Sequence, residues 1–210
     1  LSFSSYPELV LKTEEIDKDV LIKLLNKYVE ENLPKVKELI EFYNIRWESW
    51  FSDLEKIGKI ESKFDCIGII NQFTNKMGFD ELTEKIHIKF MEHEFAGFAS
   101  QVSPNDIRIS VAPINSIFDL NVLLHELGHA ISYYFNKEEG LYKILSASYD
   151  EAMAVVIEHI APKIILEESM QGKLTDLQVL EHTRCAISSL FEFELWENPE
   201  NAENLYIKHY

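Results

Sequence analysis

Cysteine is scarce in this chain of 210 residues: Cys66 and Cys185 stand 119 positions apart and form no C-x-x-C pair. That spacing excludes a disulfide scaffold or a thiolate metal knuckle, and two free thiols in a reducing compartment are expected. Glycine (7 residues) and proline (6) are also few, and there is no repeat, Gly/Ser linker or low-complexity tract. With 46% apolar residues, collagen-like and disordered classes fall away. Apolar runs such as residues 66–70 are far shorter than the ~20 residues a bilayer-spanning helix needs. Positive charge is outnumbered, 20 Lys plus Arg against 36 Asp plus Glu, for a net charge of −16. No basic stripe offsets it, which argues against a nucleic-acid partner. No signal peptide is visible, so a cytoplasmic location is expected; the chain opens on Leu1 rather than Met, which leaves secretion open.

What is present is periodic. Ile16, Val20, Leu21, Leu24, Leu25, Tyr28 and Val29 recur at helical spacing over residues 14–33. Pro34 is expected to interrupt and to open a further helix marked by Val36, Leu39, Ile40 and Tyr43. Trp47, Trp50, Phe51 and Leu54 continue the stripe as core. After Asp80 the period changes to two: Ile86, Ile88 and Phe90 alternate with His87, Lys89 and Met91, and Ile107, Ile109 and Val111 alternate before Pro113. With a further strand at 94–101 containing Gly97, these predict a small antiparallel sheet. Ser116 with Asp119 predicts a helix start, running to about Phe135. A turn at 136–140, a helix over about 141–160 ended or kinked by Pro162, and a helix opened by Thr175 with Gln178 follow. A short helix at 202–209 closes the chain. A helical segment, residues 1–80, is expected to pack on a catalytic part, residues 81–210, as one compact whole.

The chemistry lies in His125-Glu126-Leu127-Gly128-His129, an H-E-x-x-H sequence on a predicted helix. At 3.6 residues per turn, positions i and i+4 share a face, so both imidazoles can reach one ion. Zinc suits two such nitrogens, and Glu126 stands beside them to accept a proton from the attacking water. With 7 His and 27 Glu in the chain, chance alone gives about 0.03 such motifs.

A third ligand is required. Ser132 and Phe135 occupy the positions where H-E-x-x-H-x-x-G-x-x-H would need Gly and His, so the three-histidine class is excluded. A carboxylate from the following helix is the alternative, and Glu151 is the first candidate, with Asp150 second. If that helix starts near Leu141 and runs antiparallel, Glu151 lies about 15 Å along it, matching the distance of His125 from Phe135. Ser148-x-x-Glu151 also reads as a capping box, a competing use of the same carboxylate. Glu158, two turns beyond Glu151, is placed to accept an N–H from a ligand imidazole.

Residues 123–131, followed by Asp150-Glu151-Ala152-Met153-Ala154 and Glu158, resemble the catalytic core of the oligoendopeptidase F/thimet oligopeptidase family, zinc peptidases of the gluzincin group. Phe191-Glu192-Phe193-Glu194, Asn204-Leu205-Tyr206 and Ala96-Gly97-Phe98 extend the likeness over residues 86–210. The resemblance implies one zinc ion on His125, His129 and Glu151, Glu126 as general base, Gly128 allowing close helix packing, and a peptide substrate aligned on a sheet edge near Gly97 and Phe98. The family is longer, and its tyrosine and histidine oxyanion donors lie beyond the matching segment, leaving Tyr206, His209 and Tyr210 as candidates. The expectation is therefore a helix-rich α+β, zincin-like domain that is a zinc metallopeptidase or, alternatively, a catalytically silent relative that binds a peptide or protein partner. Neither a nucleic acid nor a membrane is expected as partner.

Overall fold

A computed structural model of the protein describes residues 5–60, 64–92, 97–136 and 146–210. These residues belong to two compact units, one made of Leu1–Arg46 with Gln178–Tyr210 and the other of Trp47–Leu177.

In the first unit, α1 (Tyr6–Thr13) starts where the Ser5 side chain accepts from the Glu8 N–H. Helix α2 (Lys18–Tyr43) starts at Asp17, whose carboxylate accepts from the Val20 N–H at 3.0 Å, and stops at Asn44 in the left-handed conformation. Pro34 does not break it: α2 runs through as one helix of 26 residues. A proline removes one intrahelical hydrogen bond, and the periodic apolar residues on both sides continue the helix past it.

The second unit holds α3 (Trp50–Leu54), α4 (Cys66–Met77), α5 (Asp80–Thr83) and, among the described residues, the strands β1 (Ile86–Phe90), β2 (Gly97–Ser103) and β3 (Asp106–Val111). The sheet order is β1-β3-β2. Strands β2 and β3 are antiparallel, as expected, but β1 runs parallel to β3, with Ile86 opposite Ile107 and Phe90 opposite Val111. The sheet is thus mixed. Alternation of apolar residues specifies which face is buried, not which way a neighbour runs. Ile107, Ile109 and Val111 of the central strand are buried.

Helix α6 (Ile117–Phe135) lies against this sheet. Its start is the capping box read from the sequence: the Asp119 N–H donates to Ser116 Oγ at 3.1 Å, and the Ser116 N–H donates to Asp119 Oδ2 at 2.9 Å. Leu120, Leu123, Leu124, Leu127 and Ile131 are fully or almost fully buried and form one core with β3 and with Ile157 and Ala161 of α7 (Ala147–Ile165). Each such leucine removed from water contributes roughly 1.5–3 kcal/mol.

Helix α7 begins later than predicted. Ser146, not Ser148, caps it by accepting from the Tyr149 N–H at 3.3 Å. The turn expected at 136–140 and the helix start expected near Leu141 fall on residues 137–145, outside the described residues. Pro162 lies inside the helix, which continues to Ile165. Helix α8 (Glu168–Glu197) also starts earlier than predicted: Thr175 is internal and donates to the Gln171 carbonyl at 2.9 Å instead of capping. Helix α9 (Ala202–His209) follows. The fold is α+β, predominantly helical and zincin-like. Among the described residues no helix is long and apolar enough to cross a membrane.

Candidate metal centre

A little more than one turn of α6 carries the whole H-E-x-x-H sequence, and its periodicity sets the His125 and His129 rings edge to face, 4.9 Å between centroids. Helix α7 lies across this face. His125 meets Glu158 while His129 meets Asp150, so the two helices run antiparallel. Gly128 permits the approach: a Cβ there would sit 2.5 Å from Ala154 Cα and 3.0 Å from Ala154 O. No side chain other than hydrogen fits between the backbones at that point.

The close crossing delivers Glu151 to both imidazoles. Its Oε2 lies 3.3 Å from His125 Nε2, and its Oε1 lies 3.8 Å from His129 Nε2. Donors bonded tetrahedrally to one zinc at about 2.0–2.1 Å stand about 3.3 Å apart, so the trio fits such an ion without rearrangement of the helices. His125, His129 and Glu151 form a cluster able to hold a metal, its donor atoms all within 4.8 Å of one another. His129 is buried, whereas Glu151 is exposed, which keeps one side of the cluster open to solvent. Glu151 arrives from the first turn and a half of α7 rather than from ten residues into a longer helix.

The far nitrogens are backed by acid. His125 Nδ1 hydrogen-bonds Glu158 Oε2 at 3.0 Å, and Glu158 is almost completely buried. His129 Nδ1 lies 3.0 Å from Asp150 Oδ2, a close contact whose direction falls short of a hydrogen bond. Asp150, the second candidate for the ion, therefore sits behind an imidazole and outside the trio. The Tyr133 hydroxyl donates to the same Oδ2 at 3.2 Å.

Glu126 is buried on the neighbouring side of α6, against β2. It accepts the backbone N–H of Ala99, and a Cβ on Gly97 would come within 3.2 Å of its Cγ and 2.8 Å of Val111 Cγ1. Burial pushes the Glu126 carboxyl above the ordinary carboxylate range, while the nearby imidazoles of His129 and His125 pull the other way. The hydrogen bond to His125 holds Glu151 below that range, against the effect of burial. For the metal-free His125 imidazole, burial acts to lower the pKa, but the hydrogen bonds it donates to Glu151 and Glu158 outweigh that and push it up to about 10. Burial, with the Asp150 charge beside it, raises the Tyr133 phenol well above its usual value.

Gly97 and Phe98 begin β2, which among the described residues pairs with β3 alone and so forms an edge of the sheet. Gly97 is tucked against Glu126 and Phe98 is exposed; Ala96 lies outside the described residues. Tyr206, His209 and Tyr210 belong to the first unit, where each packs edge-on against Phe191 at 6.3, 6.0 and 5.6 Å. Tyr210 also hydrogen-bonds Ser188 Oγ at 2.8 Å, and His209 Nε2 lies 3.4 Å from Glu194 Oε1. Sequence reasoning did not single out Tyr133 or the Ala99 N–H. Tyr133 had a readable signal, since it stands four residues after His129 on the same helix face; the Ala99 N–H had none.

Fold and centre together define a zincin-like α+β unit with a His-His-Glu cluster of gluzincin-type geometry. Comparisons with protein-family models, with curated proteins and with solved structures give no match to this chain.

Proposed function

We propose that the protein is a zinc-dependent metallopeptidase, similar in its centre to the oligoendopeptidase F/thimet oligopeptidase family. The observation that supports this reading is the convergence of His125 Nε2 and His129 Nε2 on the Glu151 carboxylate, at 3.3 and 3.8 Å, with Glu126 buried beside them. His125, His129 and Glu151 would hold one zinc ion, which supplies a Lewis acid for the scissile carbonyl and lowers the pKa of water.

The remaining work falls to the chain. Glu126 takes the proton of the attacking water and returns it to the leaving amine. The Ala99 N–H and the wall formed by Gly97 fix the direction of that carboxylate. Glu158 holds the His125 ring with Nε2 toward the ion. The outer edge of β2 at Gly97 and Phe98 offers backbone groups to an extended peptide.

The test is metal quantification of purified protein together with digestion of a peptide library, using Glu126→Gln as control. One zinc per chain and cleavage lost in the variant are expected. Zinc without cleavage in the wild type would point to the silent, peptide-binding alternative. Absence of zinc would refute the centre itself.

A further inference from the structure

Asp150 and Tyr133 form a second layer on the buried side of the cluster. Asp150 Oδ2 stands 3.0 Å from His129 Nδ1 and 3.2 Å from the Tyr133 hydroxyl. The Tyr133 ring lies near-parallel to the His129 imidazole, 6.3 Å between centroids and 20° between planes. His129 Nδ1 and Asp150 Oδ1 are both buried and, among the described residues, neither makes a hydrogen bond. A buried polar atom left without a partner costs free energy, and the nearest acidic oxygen to His129 Nδ1 is Asp150 Oδ2 at 3.0 Å.

We propose that Tyr133 and Asp150 are positioning residues for His129. Asp150 accepts the Nδ1 proton, which selects the tautomer whose Nε2 lone pair faces the ion, and Tyr133 holds the Asp150 carboxylate in place from the next turn of α6. The inference rests on the metal centre proposed above. It assigns His129 a supporting pair distinct from Glu158, which serves His125. The two imidazoles are thereby each locked by a carboxylate from α7, at positions 150 and 158, on opposite sides of the ligand Glu151.

Zinc affinity by chelator competition and the visible spectrum of the cobalt(II)-substituted protein test this, with far-ultraviolet circular dichroism to show that each variant is folded. Asp150→Ala is expected to weaken zinc by about 10–100-fold, as loss of an outer carboxylate does, and to change the cobalt bands. Asp150→Asn, which keeps a neutral acceptor, should recover part of that loss. Tyr133→Phe should cost about 5-fold, the value of one hydrogen bond, and only while Asp150 is present; in the Asp150→Ala background it should change nothing. An equal effect of Tyr133→Phe in both backgrounds would reduce Tyr133 to packing and overturn the proposal. So would folded Asp150→Ala protein with wild-type affinity and wild-type cobalt bands. A wild-type protein that takes up no stoichiometric zinc would instead refute the centre on which the inference rests.

Discussion

The replacement Gly128→Ala separates two effects of opposite sign. Alanine in a helix interior is favoured over glycine by about 1 kcal/mol, so propensity alone predicts a more stable protein. The new methyl, however, would sit 2.5 Å from Ala154 Cα, 3.0 Å from its O and 3.1 Å from its C. Carbon atoms in unstrained contact stand about 3.5–4.0 Å apart, so α6 and α7 must separate by about 1 Å. The obstacle is backbone, which cannot rotate away as a side chain would. Overpacking of this kind costs about 1–3 kcal/mol, which cancels or exceeds the propensity gain. The larger consequence is at the centre. Glu151, Asp150 and Glu158 all ride on α7, and metal–ligand distances tolerate only about 0.2 Å. Zinc affinity should therefore fall by at least about 10-fold even if the melting temperature hardly moves. Chelator competition and thermal unfolding, measured on the same metal-free preparation, report the two effects separately. A Gly128→Ala protein that melts higher and binds zinc within about twofold of wild type would refute the argument.

Glu126→Gln should keep zinc at wild-type stoichiometry while cleavage falls by about 10²–10⁴-fold, the usual worth of a general base; parallel metal analysis and peptide hydrolysis decide it. Replacing Glu151 by Ala should weaken zinc more than replacing Asp150 by Ala, because a ligand is lost in one case and its support in the other; isothermal titration giving the reverse order would reassign the ligand. Without metal, burial opposes protonation of His125, but Glu151 and Glu158 raise its pKa to about 10. A raised folded-state pKa stabilises fully below the unfolded value of about 6.5, and that contribution is lost as pH rises through the folded value. The melting-temperature gap between metal-free wild type and His125→Gln should accordingly be widest at about pH 6 and narrow steadily as pH rises to about 10; a gap that stays constant over that range would contradict the ion pairing.

What could be read along the chain was whatever depends on neighbours in sequence. The spacing of His125 and His129 places two imidazoles on one face of any helix, and Ser116 with Asp119 starts that helix by a contact three residues long. Alternation set Ile107, Ile109 and Val111 on one face of a strand for the same reason. Helix limits were less legible, because Pro34, Pro162 and Thr175 carry local stop or start signals that helix continuity overrides. The parallel pairing of β1 with β3 leaves no trace in a period of two.

Residue order thus determined the chemistry on offer: two nitrogens on one helix, a carboxylate between them and further acids downstream. Only the tertiary structure decided which acid does what. Glu151, Asp150 and Glu158 are the same kind of group on one helix; helix spacing ranked Glu151 ahead of Asp150 and set Glu158 beside an imidazole, but it could not say which atoms would meet. The antiparallel crossing at Gly128 and Ala154 turns Glu151 toward both Nε2 atoms and sets Asp150 and Glu158 behind the rings, because ligand geometry depends on distances between helices that no sequence spacing encodes.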